Sequence, residues 1–150
     1  MISLIVLTIA FVVLRMIGWA GVEPLNHWHP CLQIALAIML LITASAHWGK
    51  RRAEMIRMVP PFFSHPAMLV SLTGILEIMG AIGLVIPFTV INGIAAIGLF
   101  LLMLALFPAN VHAARQHLTL GGRPVTPLPL RTAMQLLYLV LIILASPWFA

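Results

Sequence analysis

Five residues place reactive or hydrogen-bonding groups where such groups are costly: His47, Glu77, Asn110, Arg131 and Gln135. Glu77 lies near the middle of an apolar stretch, and a carboxyl in hydrocarbon is either neutral or paired. Its helical neighbours three and four residues away are Thr73, Gly74, Gly80 and Ala81. Small residues of this kind mark a face that packs closely on another helix, so Glu77 is expected to point into a bundle. Two roles fit it there: a structural hydrogen bond between helices, or a carboxylate that exchanges protons or binds a ligand. The other four sit at the ends of apolar stretches. Arg131, Gln135 and Tyr138 are spaced four and three apart, which puts them on one helical stripe. Arg131 brings a fixed charge, His47 a switchable donor or acceptor, and the two amides orientation. These five are the candidate ligand-binding residues; none is read as catalytic.

Other polar positions read more weakly. Arg15 interrupts an apolar run and must find a partner or the interface. It is expected to reach Glu23 or the headgroups, or to pair with Glu77. His27 and His29 flank Trp28 close to Glu23 and Cys31, residue types that bind metals. An interfacial tryptophan explains this segment better, and no metal is expected. Haem would need inward-facing histidines on two helices, and only His47 qualifies. Cys31 is the single cysteine, which excludes a thiol relay within the chain and sites built from several thiolates. There is no phosphate-binding glycine loop, no Ser-His-Asp arrangement and no carboxylate pair, so nothing in the residues names a reaction.

The elements that must position these residues are membrane spans. Hydrophobic residues make up 63% of the 150 and charged residues only 7%, against about 25% in a soluble domain. Such a chain cannot cover itself with a hydrated surface. A crossing needs about 20 apolar residues for roughly 30 Å of hydrocarbon. Five stretches qualify: 2–19, 31–48, 67–87, 90–107 (stopping at Pro108) and 132–149. The first has no Lys or Arg before Arg15, unlike a cleaved leader, and is expected to be retained. Residues 111–117 either continue the fourth helix or lie along the surface, and no strand pattern is visible.

Charge then orients the spans. The connection 49–66 holds Lys50, Arg51, Arg52 and Arg57, and 108–131 holds Arg115, Arg123 and Arg131; 20–30 and 87–90 hold none. Basic loops face the cytoplasm, which places the N-terminus inside. The net charge of +5 is therefore matched to an anionic membrane surface, and nucleic acid is not an expected partner.

From Cys31 onward the chain resembles the DoxX-like membrane proteins. The resemblance is carried by Thr43-Ala44-Ser45-Ala46-His47-Trp48, Met58-Val59-Pro60-Pro61, Leu72-Thr73-Gly74-Ile75-Leu76-Glu77-Ile78-Met79-Gly80, Phe107-Pro108-Ala109-Asn110, and Arg131 with Gln135. It implies an all-α polytopic bundle: a four-helix core over 31–150 plus one extra N-terminal transmembrane helix, 1–20. It further implies a bacterial inner-membrane protein of redox systems, with His47, Glu77, Pro108, Asn110, Arg131 and Gln135 as family residues. Two functions follow. The favoured one is a non-catalytic accessory or assembly subunit of a larger redox-associated complex, docked on other membrane subunits or on itself. The alternative binds a quinone or another amphipathic ligand through Glu77 and the inner polar cluster. Transport finds little support, because five spans give no inverted repeat.

Overall fold

Apolar runs set the helices of this chain, and prolines and glycines set their ends. The computed structural model describes residues 2–150. Helix α1 spans Ile2–Trp19, and a 3₁₀ turn at Glu23–Leu25 leads into α2, Trp28–Ala44, which a second 3₁₀ turn, Ser45–His47, prolongs. A short helix α3 covers Arg52–Met58, followed by α4 at Pro66–Val85, α5 at Thr89–Arg115 and α6 at Leu128–Leu144. Helix α4 opens on Pro66, whose missing N–H costs nothing in a first turn. It stops where Ile86, held extended by the following Pro87 (φ −72°, ψ 127°), leaves helical geometry. Asn92 Nδ2, on the first turns of α5, donates to the Leu84 carbonyl at 2.5 Å and so binds an acceptor at the end of α4.

The fold is all-α, and four helices are long and apolar enough to cross a membrane: α1, α2 with its 3₁₀ turn, α4 and α5. Helix α6 is apolar but shorter, at 17 residues. Several details differ from the sequence reading, among them the last apolar helix, which runs over Leu128–Leu144 and not 132–149. The second helix begins at Trp28, three residues early. The fourth apolar helix does not stop at Pro108 but runs through it to Arg115. One missing N–H removes one bond from a helix of 27 residues, and packed neighbours can bind the freed carbonyl region. A small antiparallel hairpin also forms, β1 at Thr119–Leu120 with β2 at Arg123–Pro124. Its two-residue loop is Gly121-Gly122, with φ of 64° and 72°, the positive values that a tight hairpin turn demands.

The helices pack in the order α1, α2, α4, α5, α6, each against the next. Leu36, Leu40, Leu84, Leu99 and Ile142 are fully buried where they meet. The bundle is shut at one end, where α2 is tied to the end of α6. Gln33 Nε2 donates to the Ala145 carbonyl and His29 Nε2 to the Ser146 carbonyl, each at 2.9 Å. At the other end lie both basic connections, joined by a 2.6 Å bond from the Gly121 N–H to Glu54 Oε2. The outward faces carry large apolar side chains, such as Ile5, Ile9, Met79 and Ile94, an inside-out arrangement suited to lipid.

The Glu54 carboxylate is the tie between α3 and the hairpin, and a bond to a charged acceptor stabilises by roughly 1.5–3 kcal/mol. Glu54→Ala is expected to raise the amide hydrogen-exchange rate of Gly121 about tenfold or more. Amides in the middle of α4 should exchange as before. An unchanged rate at Gly121 would show that the hairpin is held by something else.

Candidate functional site

His47 and Glu77 come together because Gly74 lets two helices approach. A Cβ at Gly74 would sit 2.7 Å from His47 Cγ and 2.7 Å from Trp48 Cη2; glycine leaves that space to the imidazole. His47 and Glu77 are only 2% and 5% exposed. The His47 Nδ1–H donates to the Ala44 carbonyl at 3.1 Å, since a carbonyl can only accept. Nε2 is thereby turned toward Glu77 Oε1, 3.9 Å away. That gap is too long for a direct hydrogen bond. It is short enough for one hydroxyl or water oxygen to bridge both atoms, and a proton can pass along such a bridge. Thr43 Oγ1 faces the other carboxylate oxygen at 3.5 Å.

The second group forms a chain across α5 and α6. Arg131 Nη1 donates to Asn110 Oδ1 at 2.7 Å, Asn110 Nδ2 donates to Gln135 Oε1 at 3.1 Å, and Gln135 Nε2 donates to the Met103 carbonyl at 2.5 Å. Met103 is the neighbour of Leu104, whose carbonyl loses its helical donor to Pro108. Each amide uses both its faces, so the chain fixes the direction in which Arg131 points. All five candidates line a single cavity of about 1230 Å³ at the basic end, with His47 and Glu77 on the α2 and α4 side. Asn110, Arg131 and Gln135 line it from α5 and α6. Met39, Ile42, Met134 and Val6 supply apolar wall between them, and Gly121, Arg123 and Pro124 of the hairpin region roof it.

Some expectations are corrected. Arg15 pairs with neither Glu23 nor Glu77. Its Nη1 donates to the Leu25 carbonyl at 3.1 Å, and its guanidinium lies 5.3 Å from the centre of the Trp19 ring. The cause is local: Gly18 leaves room for the Glu23–Leu25 turn to fold onto α1, which brings a carbonyl closer than any carboxylate. His29 is occupied by the Ser146 carbonyl. Among the described residues, no three His, Cys, Asp or Glu side chains gather as a metal site would require.

Several contributors escaped the sequence reading. Arg52 donates to the His47 carbonyl at 2.7 Å, to the Ala67 carbonyl at 3.1 Å and to Ser71 Oγ at 2.9 Å. Ser3 Oγ on α1 meets the hydroxyl of Tyr138, already placed on the stripe of Arg131 and Gln135, at 2.8 Å beside the cavity. Asn92 is buried with its Oδ1 unbonded. Glu54 had a visible signal, as the lone acid in a basic connection.

These features define an all-α membrane protein with a polar cavity at its basic end. Residues 36–148 match the family described as a domain of unknown function (DUF8561), and the chain belongs to that family. No curated protein and no solved structure matches it.

Gly74→Ala is expected to destabilise the protein by about 1–3 kcal/mol, because the added methyl would overlap the buried His47 side chain and the Trp48 ring. Thermal unfolding in mild detergent reads this. An unchanged melting temperature would mean that the helices separate at little cost. Asn110→Ala and Arg131→Gln should be non-additive in the same assay, with a coupling above about 0.5 kcal/mol.

Proposed function

We propose that this is a multi-pass protein of a bacterial inner membrane that binds one amphipathic molecule in the cavity at its basic end. One observation carries the reading: five polar residues from four parts of the bundle (the end of α2, α4, α5 and α6) line the same cavity, whose remaining wall is largely apolar. Buried polar groups in a membrane are costly, and they persist where they meet each other or a ligand. The volume, about 1230 Å³, exceeds the roughly 300–1,000 Å³ of drug-sized sites. A head and a tail both fit. Arg131 keeps N–H donors beyond the one given to Asn110, and His47 with Glu77 offers a place to hold or exchange a proton. A quinone, which the DoxX-like resemblance brings in, is one member of this ligand class.

The basic end faces the cytoplasm in this proposal, because Lys50, Arg51, Arg57 and Arg123 all lie there. Helix α6 then makes the fifth crossing. Its 17 residues reach about 25 Å, slightly less than the hydrocarbon thickness.

A second reading, the accessory or assembly subunit, draws on α1. That helix packs on α2 while Ile5, Ile9, Val12 and Met16 stay exposed, a face able to dock on another membrane subunit.

Purification from native membranes in mild detergent, followed by mass spectrometry, is expected to return the chain with one bound amphiphile. Glu77→Gln and Gln135→Ala should each reduce its recovery several-fold. A stoichiometric protein partner and an empty cavity would favour the subunit reading instead. Orientation has its own check, in a Cys31→Ala background. Single cysteines at Lys50 and Gly122 should be shielded from an impermeant thiol reagent in intact cells, and one at Asn26 labelled. The reverse pattern would invert the protein in the membrane.

A further inference from the structure

The cavity is lined by three arginines, Arg51, Arg123 and Arg131, and by a single carboxylate, Glu77. That carboxylate faces His47, and the nearby Glu54 is bonded to the Gly121 N–H. Among the described residues no arginine lies within ion-pairing distance of a carboxylate, so none of the three guanidinium groups has an acidic partner. The positive-inside rule accounts for the number of cations at this end. It does not account for three of them sharing one concavity, where like charges repel and an anion would relieve them. They also come from three separate elements: Arg51 precedes α3, Arg123 is on the hairpin and Arg131 is on α6. Convergence from separate elements is how a binding site is built.

Apolar side chains also line the cavity: Val6 from α1, Met39 and Ile42 from α2, and Met134 from α6. Among the described residues, one side-chain hydrogen bond joins α1 to α6, Ser3 Oγ to Tyr138 OH at 2.8 Å. That seam borders the cavity, and its opening would let an acyl chain slide in from the bilayer while a charged head stays at the mouth. A guanidinium matches carboxylate and phosphate oxygens in a two-pronged way.

We infer that the cavity takes a single-tailed amphiphile with an anionic head, a carboxylate or a phosphate monoester. The head lies among Arg51, Arg123 and Arg131, and the tail runs along Val6, Met39, Ile42 and Met134. This rests on the ligand-binding reading above and narrows it, setting the ligand apart from a neutral-headed quinone.

The test is equilibrium binding to the full chain in zwitterionic lipid nanodiscs, with empty discs as the blank. Radiolabelled laurate is the probe; lauryl phosphate, lauryl alcohol, decylubiquinone and inorganic phosphate are the competitors. Laurate should bind, and lauryl phosphate should displace it. Lauryl alcohol and decylubiquinone should compete at least about tenfold more weakly, the loss of a charge-assisted contact. Inorganic phosphate, having no tail, should not compete at the same concentration. Arg131→Gln and Arg123→Gln should each weaken laurate about tenfold. Arg123 is on the exposed hairpin, so its replacement reads charge without disturbing the helices. Arg57→Gln, away from the cavity, should change nothing.

Equal binding of the alcohol or the quinone, or indifference to both arginine substitutions, overturns the anionic head and leaves the amphiphile site standing. Displacement by inorganic phosphate alone overturns the role of the tail. Absence of binding by every amphiphile overturns both readings together.

Discussion

The guanidinium of Arg52 sits where three segments meet, and its hydrogen bonds fix their relation. It holds the carbonyl of His47 at the end of α2, and the Ala67 carbonyl and Ser71 hydroxyl on the first turns of α4. With those points pinned, His47 can lie over Gly74 and present Nε2 to Glu77. The same clamp anchors the start of α3, from which Glu54 reaches the hairpin that roofs the cavity. A lysine could not replace it, because a planar fork serves several acceptors at once where an ammonium offers a point charge. The His47–Glu77 gap, the roof and the mouth all depend on this one side chain keeping its geometry.

The two ends of the bundle follow opposite rules. At the closed end, polar side chains donate to backbone carbonyls: Gln33 to Ala145, His29 to Ser146, Asn92 to Leu84 and Arg15 to Leu25. At the basic end, arginines remain without acidic partners around a large cavity. A bilayer interior offers no water to satisfy stray donors, so the first pattern is what stability alone would select. The second retains interaction capacity that the fold itself does not consume. This contrast, more than any single residue, separates the cavity from the rest of the polar inventory.

Much of this was legible because lipid penalises polar groups so heavily that each one in an apolar run stands out. Glu77 could be read as facing into the bundle from the small residues around it, and His47 as lying at an inner helix end, but not that the two would face each other. The chain Arg131–Asn110–Gln135 was hinted at by helical spacing and common depth. What could not be read was decided by backbone geometry between distant segments. Arg15 has a carbonyl partner because a turn folds against Gly18, which no spacing rule reveals. Pro108 looked like a stop because proline usually is one, yet packing carries α5 past it. Asn92 fell in a region read as the start of a span, so its role at the end of α4 was hidden. The hairpin is two residues long on each side, too short for any alternation to register.

Helix α1 is synthesised well before α6, yet they face each other across one wall of the cavity through Ser3 and Tyr138. During biosynthesis α1 can settle on α2, and α4 on α5, while the site does not yet exist. Arg131, Gln135 and Met134 arrive only with the final helix. A ribosome that stalls before α6 would therefore leave in the membrane a sound-looking bundle with its polar interior exposed, Glu77 included.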